Sequence, residues 1–201
     1  MFKDKNEVEK LTIVMCGDKQ VGKMTLANIF TEKKKEKGEK IEKFMPLKSF
    51  KNNAIVCHNE TISVDIIALS GDKRYRNVNN HYYHKANAVI FVYDVSNEQS
   101  FHELENFYRD FQKHVANRPV ILVGNKIDLE RRVKTDDALS WARKNNMHFM
   151  EVSNETPSRV KTLFNRVAYE AYSAYLESEG RLPLEKRVWS KEEKKNDEKE
   201  E

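Results

Sequence analysis

A glycine-rich loop is the clearest sign of chemistry in this sequence. Residues 17–23 have the pattern Gly-x-x-x-x-Gly-Lys, which surrounds phosphate oxygens with backbone N–H groups and one mobile ammonium. An apolar run at residues 11–16 precedes the loop and a helical pattern follows it, which is the strand–loop–helix context that phosphate binding requires. The residues predicted to line a nucleotide phosphate chain are Asp18, Lys19, Gln20, Val21, Gly22, Lys23, Met24 and Thr25.

The residue after the lysine departs from this pattern. The position is normally Ser or Thr, whose hydroxyl is a ligand of Mg²⁺, and here it is Met24. A thioether is a poor ligand for a hard cation. The loop is therefore predicted to bind phosphate without offering a metal ion its usual ligand.

A second motif indicates which base the site selects. Residues 125–128 read Asn-Lys-Ile-Asp and directly follow an apolar run. Asp128 can accept two parallel hydrogen bonds from the N–H and NH₂ edge of guanine, which adenine lacks. Asn125 can bind the other base edge and tie loops together, and the aliphatic stem of Lys126 can cover the base. A polar turn has a similar composition, but the upstream phosphate loop favours guanine binding.

Two further loops have a functional and a structural interpretation. Ser153 and Asn154 follow the last predicted strand and either support the guanine carbonyl or form an ordinary helix-capping loop. Gly71 either places its N–H near a terminal phosphate or serves as a turn glycine. The sequence leaves both alternatives open.

Strand and helix patterns alternate from the phosphate loop to about residue 178, which predicts a mostly parallel sheet. The second strand is expected at 54–57 and pairs with 61–69 as a hairpin. One helix is predicted after Ser96 or Asn97, another is predicted to be capped by Thr135, and Gly180 and Pro183 are expected to end the last helix.

These motifs make the chain resemble the Ras superfamily of small GTPases, and the Rab family within it. The segments that carry the resemblance are 17–23, 71–76, 82–86, 92–96, 100–101, 124–129 and 149–153. The resemblance implies an α/β fold of the P-loop NTPase type, with a six-stranded, mostly parallel sheet, one antiparallel edge hairpin and helices on both faces. It also implies GTP and GDP as ligands and protein effectors or regulators as partners.

The positions that this resemblance assigns to metal and catalysis are substituted. Met24 and Ala68 replace the Ser or Thr and the Asp that hold Mg²⁺, and Met45 replaces a switch-loop Thr, unless the loop has drifted. Asp72 replaces the Gln that orients the attacking water, and its carboxylate should repel phosphate unless its pKa is raised. We therefore predict no metal ligand, no catalytic residue beyond Asp72 at the water-orienting position, and very slow hydrolysis. An alternative is that Asp72 recruits a metal ion in an unusual geometry.

The family also stacks an aromatic side chain on the base, at a place that corresponds to residues 35–38. No aromatic residue stands there. Phe30 and Phe44 are the possible substitutes, and either of them can equally be a core residue.

Composition narrows the classes of partner. The net charge of +4 comes from 36 basic and 32 acidic residues that are interspersed, so no nucleic-acid partner is predicted. The sequence contains no apolar stretch of about twenty residues that could span a membrane. Cys16 and Cys57 lie in predicted strands, which indicates buried thiols in a reducing compartment.

The chain is predicted to have a polar N-terminal tail at 1–10, a small GTPase-like domain at 11–178 and a charged, disordered tail at 179–201. Rab-like proteins usually end in prenylated cysteines, and no cysteine follows Cys57. We therefore expect no direct lipid anchor and a cytoplasmic protein that reaches endomembranes only through a partner.

The leading hypothesis is a Rab-like guanine-nucleotide-binding protein with little or no GTP hydrolysis, a pseudo-GTPase in vesicle-trafficking-type regulation. One alternative is an active GTP-hydrolysing switch, and another is an interaction scaffold that binds no nucleotide. A P-loop kinase is disfavoured because residues 125–128 keep the guanine-reading pattern.

Overall fold

One sheet organises the part of the chain that the computed structural model describes, which comprises residues 10–31, 47–57, 60–114 and 118–181. Its strands are β1 (Lys10–Cys16), β2 (Leu47–Cys57), β3 (Glu60–Leu69), β4 (Ala88–Asp94), β5 (Val120–Asn125) and β6 (His148–Val152). They follow the order β2-β3-β1-β4-β5-β6 across the sheet. The β2–β3 pair is antiparallel and the other neighbouring pairs are parallel, which confirms the predicted mostly parallel sheet with one antiparallel edge hairpin.

Helices cover both faces of this sheet. Within the described ranges they are α1 (Lys23–Phe30), α2 (Arg76–Tyr83), α3 (Glu98–His102), α4 (Leu104–Gln112), α5 (Thr135–Lys144) and α6 (Pro157–Ser178), with a one-turn 3₁₀ helix at Lys73–Tyr75. None of the described helices is long and apolar enough to cross a bilayer.

Alternation along the strands divides the core into two layers. Ile13 and Met15 of β1 face the layer that contains α1 and α6, whereas Val14 and Cys16 face the layer that contains α4 and α5. In the first layer the Phe30 ring stacks on Phe164 with centroids 4.5 Å apart. Phe30 is only 4% exposed, so it is a core residue rather than a ring that is available for base stacking.

Three predicted elements differ in extent. β2 begins at Leu47 rather than at residue 54, because an edge strand is held by its backbone pairing with β3 and needs no continuous apolar pattern. The helix after Asn97 is two helices, because the Asn106 N–H bonds to the Glu103 carbonyl only three residues back. Thr135 is the first residue of α5 rather than its cap, and Lys134 occupies the capping position.

The end of the last helix agrees with the sequence where it is described. Gly180 has φ +68°, and the Arg181 N–H bonds to the Leu176 carbonyl at 2.8 Å, which closes the C-terminus of α6. Pro183, Phe44, Met45 and most of the two predicted tails lie outside the described residues.

The parallel register brings the candidate loops to one edge of the sheet. Cys16 pairs with Phe91, Asp94 with Asn125, and Asn125 with Val152. β1, β4, β5 and β6 therefore end side by side, and the loops that follow them meet where open α/β sheets bind their ligands.

Candidate nucleotide-binding site

The loop between β1 and α1 has a backbone that only glycine fits at its two ends. Gly17 has φ +141° and Gly22 has φ +99°, both outside the range that L side chains adopt easily. A Cβ atom on Gly17 would stand 2.1 Å from the Val92 carbonyl oxygen. Gln20 also has a positive φ, +62°, so the loop keeps a curved path between the glycines.

Lys23 lies over this loop and is 8% exposed. Its Nζ atom donates hydrogen bonds to the carbonyl oxygens of Gly17 at 2.8 Å and Asp18 at 2.6 Å. Burial lowers the pKa of Lys23 to about 8. An anion in the loop would favour the ammonium form and raise that pKa again, so the group is poised to respond to phosphate.

Asn125 joins the phosphate loop to the end of β5. It is fully buried, and its Nδ2 atom donates to the Val21 carbonyl at 2.8 Å. A Cβ atom on Gly22 would stand 2.3 Å from that Nδ2 atom, so the second glycine also makes room for Asn125. The buried Oδ1 atom of Asn125 accepts no hydrogen bond from any residue that the structure describes.

Asp128 and Ser153 form a second link at the same edge. The Ser153 hydroxyl donates to Oδ1 of Asp128 and accepts the Glu155 N–H at 3.0 Å. The capping position of α6 is Thr156, so Ser153 is not the N-cap of that helix, and its support of the guanine carbonyl stays a prediction. Next to it, Oδ1 of Asn154 is buried and has no hydrogen-bond partner among the described residues.

Lys126 is held in place by Asp94, a residue for which the sequence predicted no role. Its Nζ atom lies 2.6 Å from Oδ2 of Asp94, at the end of β4, and its φ is +66°. Burial raises the pKa of Asp94, but hydrogen bonds from Lys126 and Ser96 outweigh it and hold that pKa below its ordinary value. The ion pair therefore fixes a strained lysine conformation. Asp94 lies directly beside Asn125 in the sheet, so the register between β4 and β5 is the signal that could have indicated a role for Asp94.

Gly71 approaches the phosphate loop from the end of β3. A Cβ atom there would lie 2.3 Å from both the Asp18 carbonyl carbon and the Lys19 nitrogen. Close backbone approach, rather than a left-handed turn, therefore explains why this residue is glycine.

Asp72, the next residue, forms ion pairs with two cations, Arg74 and Lys19. Its Oδ2 atom lies 2.7 Å from Arg74 and 3.1 Å from Lys19 of the phosphate loop, and its Oδ1 atom accepts the Arg74 N–H at 3.0 Å. The Arg74 side chain and N–H hold the pKa of Asp72 well below its usual range. The pKa of this carboxylate is therefore not raised, so its repulsion of phosphate stays a prediction, although Lys19 and Arg74 compensate part of its charge.

Comparisons with known proteins agree with this geometry. A family model described as the Ras family matches residues 12–173. The chain belongs to the Ras family. It is 35% identical to the Ras-related protein Rab-1 of Theileria parva over 162 residues, which cover 78% of this chain and 71% of that protein. It is 32% identical to the Ras-related protein RABA4d of Arabidopsis thaliana over 163 residues, covering 80% and 72% of the two chains. These similarities identify it as a Rab-like small GTPase.

Membership of the Ras family implies binding of GTP and GDP, and the residues that this Ras-family chain brings together are compatible with such a ligand. The glycine-lined loop and the Lys23 ammonium suit phosphate oxygens, and Asp128 suits the donor edge of guanine. The Oδ1 atoms of Asn125 and Asn154, which have no partner in the part of the chain that the structure describes, are buried acceptors that a base with donor groups can satisfy.

The same Ras-family chain offers a poor set of donors for Mg²⁺. Met24, in the first turn of α1, presents a thioether, and Ala68, near the end of β3, presents a methyl group. Asp72, in the loop that follows β3, pairs its carboxylate with Arg74 and Lys19. Among the described residues, no group of three or more His, Cys, Asp or Glu side chains could hold a metal ion. The residues present therefore do not fit a hard cation at its usual place in the family.

Proposed function

We propose that this Rab-like protein binds guanine nucleotide, hydrolyses GTP very slowly or not at all, and acts through protein partners in vesicle-trafficking-type regulation. The phosphate chain is held by the backbone of residues 18–25 and by Lys23. The base is read by Asn125, Lys126 and Asp128, with Ser153 and Asn154 as support. Gly71 approaches the phosphate chain from the side of β3.

One observation carries the proposal of weak hydrolysis. The side chains at the positions of the two metal ligands, Met24 and Ala68, contain no oxygen, and the residue at the water-orienting position is an ionised carboxylate tied to Lys19 and Arg74. Phosphoryl transfer develops negative charge that a metal ion normally neutralises, and the attacking water must be oriented. This chain supplies neither function from those three positions.

A single-turnover assay tests the proposal. The full chain is loaded with radiolabelled GTP, and phosphate release is followed with Mg²⁺ present against a protein-free blank. We expect no release above the blank, although filter binding shows that GTP is held. A hydrolysis rate of about 10⁻⁴ s⁻¹, typical of a family member without an activating protein, would contradict the proposal and support the active switch.

A restoring variant provides the matched control. Met24→Ser, Ala68→Asp and Asp72→Gln together return oxygen ligands and a neutral amide to the three positions. We expect Mg²⁺-dependent binding, detected as a loss of GTP affinity in EDTA, in the triple variant but not in the natural chain. Equal metal dependence in the two proteins would show that these positions do not decide metal binding.

Nucleotide identity separates this proposal from the scaffold alternative. Purified full-length protein is denatured, the released nucleotide is identified by ion-exchange chromatography, and stripped protein is titrated with GDP and ADP. We expect guanine nucleotide in the eluate and binding of GDP over ADP by more than about a hundredfold, because adenine cannot donate the paired hydrogen bonds to Asp128. Failure to bind either nucleotide would support the scaffold.

The trafficking-type role rests on the similarity to Rab proteins, and its test is membrane association. The tagged full chain is mixed with endomembranes, with the same membranes after protease treatment, and with protein-free vesicles of their lipids. We expect flotation with the intact membranes only, because a partner protein mediates the contact. Flotation with protein-free vesicles would contradict a partner-mediated role.

A further inference from the structure

The phosphate loop has two ends. The base end lies beside Asn125, which is predicted to read the nucleotide base, and the far end lies beside Gly71. At the base end, a Cβ atom on Gly22 would stand 2.3 Å from Nδ2 of Asn125 and 3.9 Å from Nδ2 of Asn154. At the far end, a Cβ atom on Gly71 would stand 2.3 Å from the backbone of Asp18 and Lys19. A nucleotide whose base lies at Asn125 therefore extends its phosphate chain from Gly22 towards Gly71, and the last phosphate is the one that meets the far end.

Besides the Lys23 ammonium, which donates to the Asp18 carbonyl at 2.6 Å, four formal charges stand at this far end, and these four cancel. Asp72 contacts Lys19 at 3.1 Å and Arg74 at 2.7 Å, and the Asp72 side chain is only 12% exposed. Asp18 contributes a second carboxylate, whose Oδ1 atom accepts the Lys19 N–H at 2.7 Å. Two carboxylates and two cations leave the Lys23 ammonium as the surplus positive charge, and the first phosphates of either nucleotide already engage it. The Asp18 carboxylate also occupies one backbone donor of the loop.

Asp72 is fixed in this position by more than its ion pairs. It caps the 3₁₀ helix Lys73–Tyr75 by accepting the Arg74 N–H at 3.0 Å, and its own N–H bonds to the Ser70 hydroxyl at 3.2 Å. The carboxylate therefore cannot move away from an incoming anion without loss of the cap. A third phosphate adds negative charge beside it, and Met24 and Ala68 give no oxygen ligand for a cation that would neutralise that charge.

We propose that Asp72 sets the length of the phosphate chain that the site accepts, so that the protein takes guanosine diphosphate in preference to guanosine triphosphate. This inference rests on the proposed guanine-nucleotide binding and specifies which of the two nucleotides binds more tightly. The base and the first phosphates meet Asp128, Asn125 and Lys23 in both ligands, and only the triphosphate places a further anion at Asp72.

The test is calorimetric titration of the full chain with GDP and with GTP in EDTA. We expect GDP to bind at least about tenfold more tightly than GTP, because the third phosphate adds negative charge beside the Asp72 carboxylate and no further cation offsets it. The ratio should fall as salt rises from about 50 mM to about 500 mM, because Lys19 and Arg74 are exposed and the cluster is screened. Equal dissociation constants for the two nucleotides would overturn the inference.

Variants that change single charges test whether Asp72 causes the preference for GDP over GTP. Asp72→Asn keeps a capping side chain and removes the charge, so the GTP-to-GDP ratio of dissociation constants should fall at least about fivefold, chiefly by tighter GTP binding. Arg74→Ala removes a compensating cation, so the ratio should rise. Asp110→Asn, which removes a carboxylate paired with Arg76 and Lys113 away from the loop, should leave the ratio within about twofold.

The outcomes separate this inference from the proposed function. An unchanged ratio in Asp72→Asn, or an equal shift in Asp110→Asn, overturns the role of Asp72 while guanine binding stands. If neither nucleotide binds to the natural chain or to any variant, the proposed guanine-nucleotide binding itself fails, and the preference fails with it.

Discussion

Asn125 donates a hydrogen bond from its Nδ2 atom to the carbonyl oxygen of Val21 over 2.8 Å, although 104 residues separate the two in sequence. This bond fixes the position of the phosphate loop relative to the base-reading loop. A ligand that spans both loops therefore meets a preformed distance between its two ends, and the protein spends little binding free energy on ordering them.

We expect Asn125→Ala to weaken both folding and nucleotide binding. The change leaves the Val21 carbonyl without its donor, which should cost about 1–3 kcal/mol of unfolding free energy, and GDP affinity should fall at least about tenfold. Asn79→Ala is the matched control, because Asn79 is also buried and donates to the Ser70 carbonyl at 2.8 Å. Urea unfolding should show similar losses in the two variants, while calorimetry with GDP should distinguish them. A similar loss of GDP affinity in both would refute the bridging role.

The pKa of Lys23 predicts how affinity depends on pH. The ammonium form binds phosphate, so the bound state retains its proton to a higher pH than the free state does. GDP affinity should be constant below about pH 8 and fall by up to about tenfold per pH unit above it, until the higher pKa of the bound state is reached. Calorimetry of the natural chain and of Lys23→Met, run in parallel, cancels the titration of the nucleotide. Parallel profiles for the two proteins would exclude Lys23 as the titrating group.

Folding responds to the same group with the opposite sign. The pKa of Lys23 is about 8 in the folded protein and 10.5 in its ordinary environment, so the unfolded state binds the proton more tightly between these values. The contribution of Lys23 to the unfolding free energy should therefore increase as the pH rises from about 8 to about 10. Urea unfolding across this range should show the increase in the natural chain and not in Lys23→Met.

Gly71→Ala should reveal the close approach of β3 to the phosphate loop. The added methyl group meets backbone atoms at 2.3 Å, so the loop must move, at a cost of about 1–3 kcal/mol. Gly180→Ala is the comparison, because its surroundings are open but its φ is +68°, which should cost about 1 kcal/mol. Thermal unfolding should show both losses, and only Gly71→Ala should also weaken GDP binding. Unchanged GDP affinity in that variant would show that the loop tolerates the displacement.

Phe30→Leu tests whether this ring belongs to the core or to the base pocket. Loss of the stack on Phe164 should cost about 1–2 kcal/mol of unfolding free energy, and Phe164→Leu should cost a similar amount. Both variants should bind GDP within about twofold of the natural affinity, because both rings are buried in the same core layer. A loss of GDP affinity in Phe30→Leu but not in Phe164→Leu would indicate that the Phe30 ring contacts the nucleotide base.

The sequence was most informative where chemistry fixes the spacing of residues. The glycines of residues 17–22 and the tetrapeptide 125–128 are local patterns, and β1 and β5 bring them to one edge because parallel strands end together. The mostly parallel sheet could be predicted because strand and helix patterns alternate along the chain, which permits few arrangements.

Features that depend on contacts between distant segments could not be read from the sequence. The ionisation of Asp72 depends on Lys19, which lies 53 positions earlier and reaches it only through the approach of β3 to the loop. The Lys126–Asp94 pair likewise depends on the register of β4 and β5. β2 was predicted too short because backbone pairing, and not apolar periodicity, defines an edge strand.

Cys16 ends β1 immediately before the phosphate loop, has no exposed surface, and its thiol pKa is raised by burial. The chain has one other cysteine, Cys57, which is also buried and whose pKa burial raises to about 11. Neither thiol can react with an alkylating reagent until the sheet opens around it. Cys57 pairs with Glu60 at the opposite end of the sheet, so Cys16 is the thiol that reports on the edge beside the phosphate loop. The rate of Cys16 modification will measure how often this edge of the sheet opens and how far a bound nucleotide slows that opening.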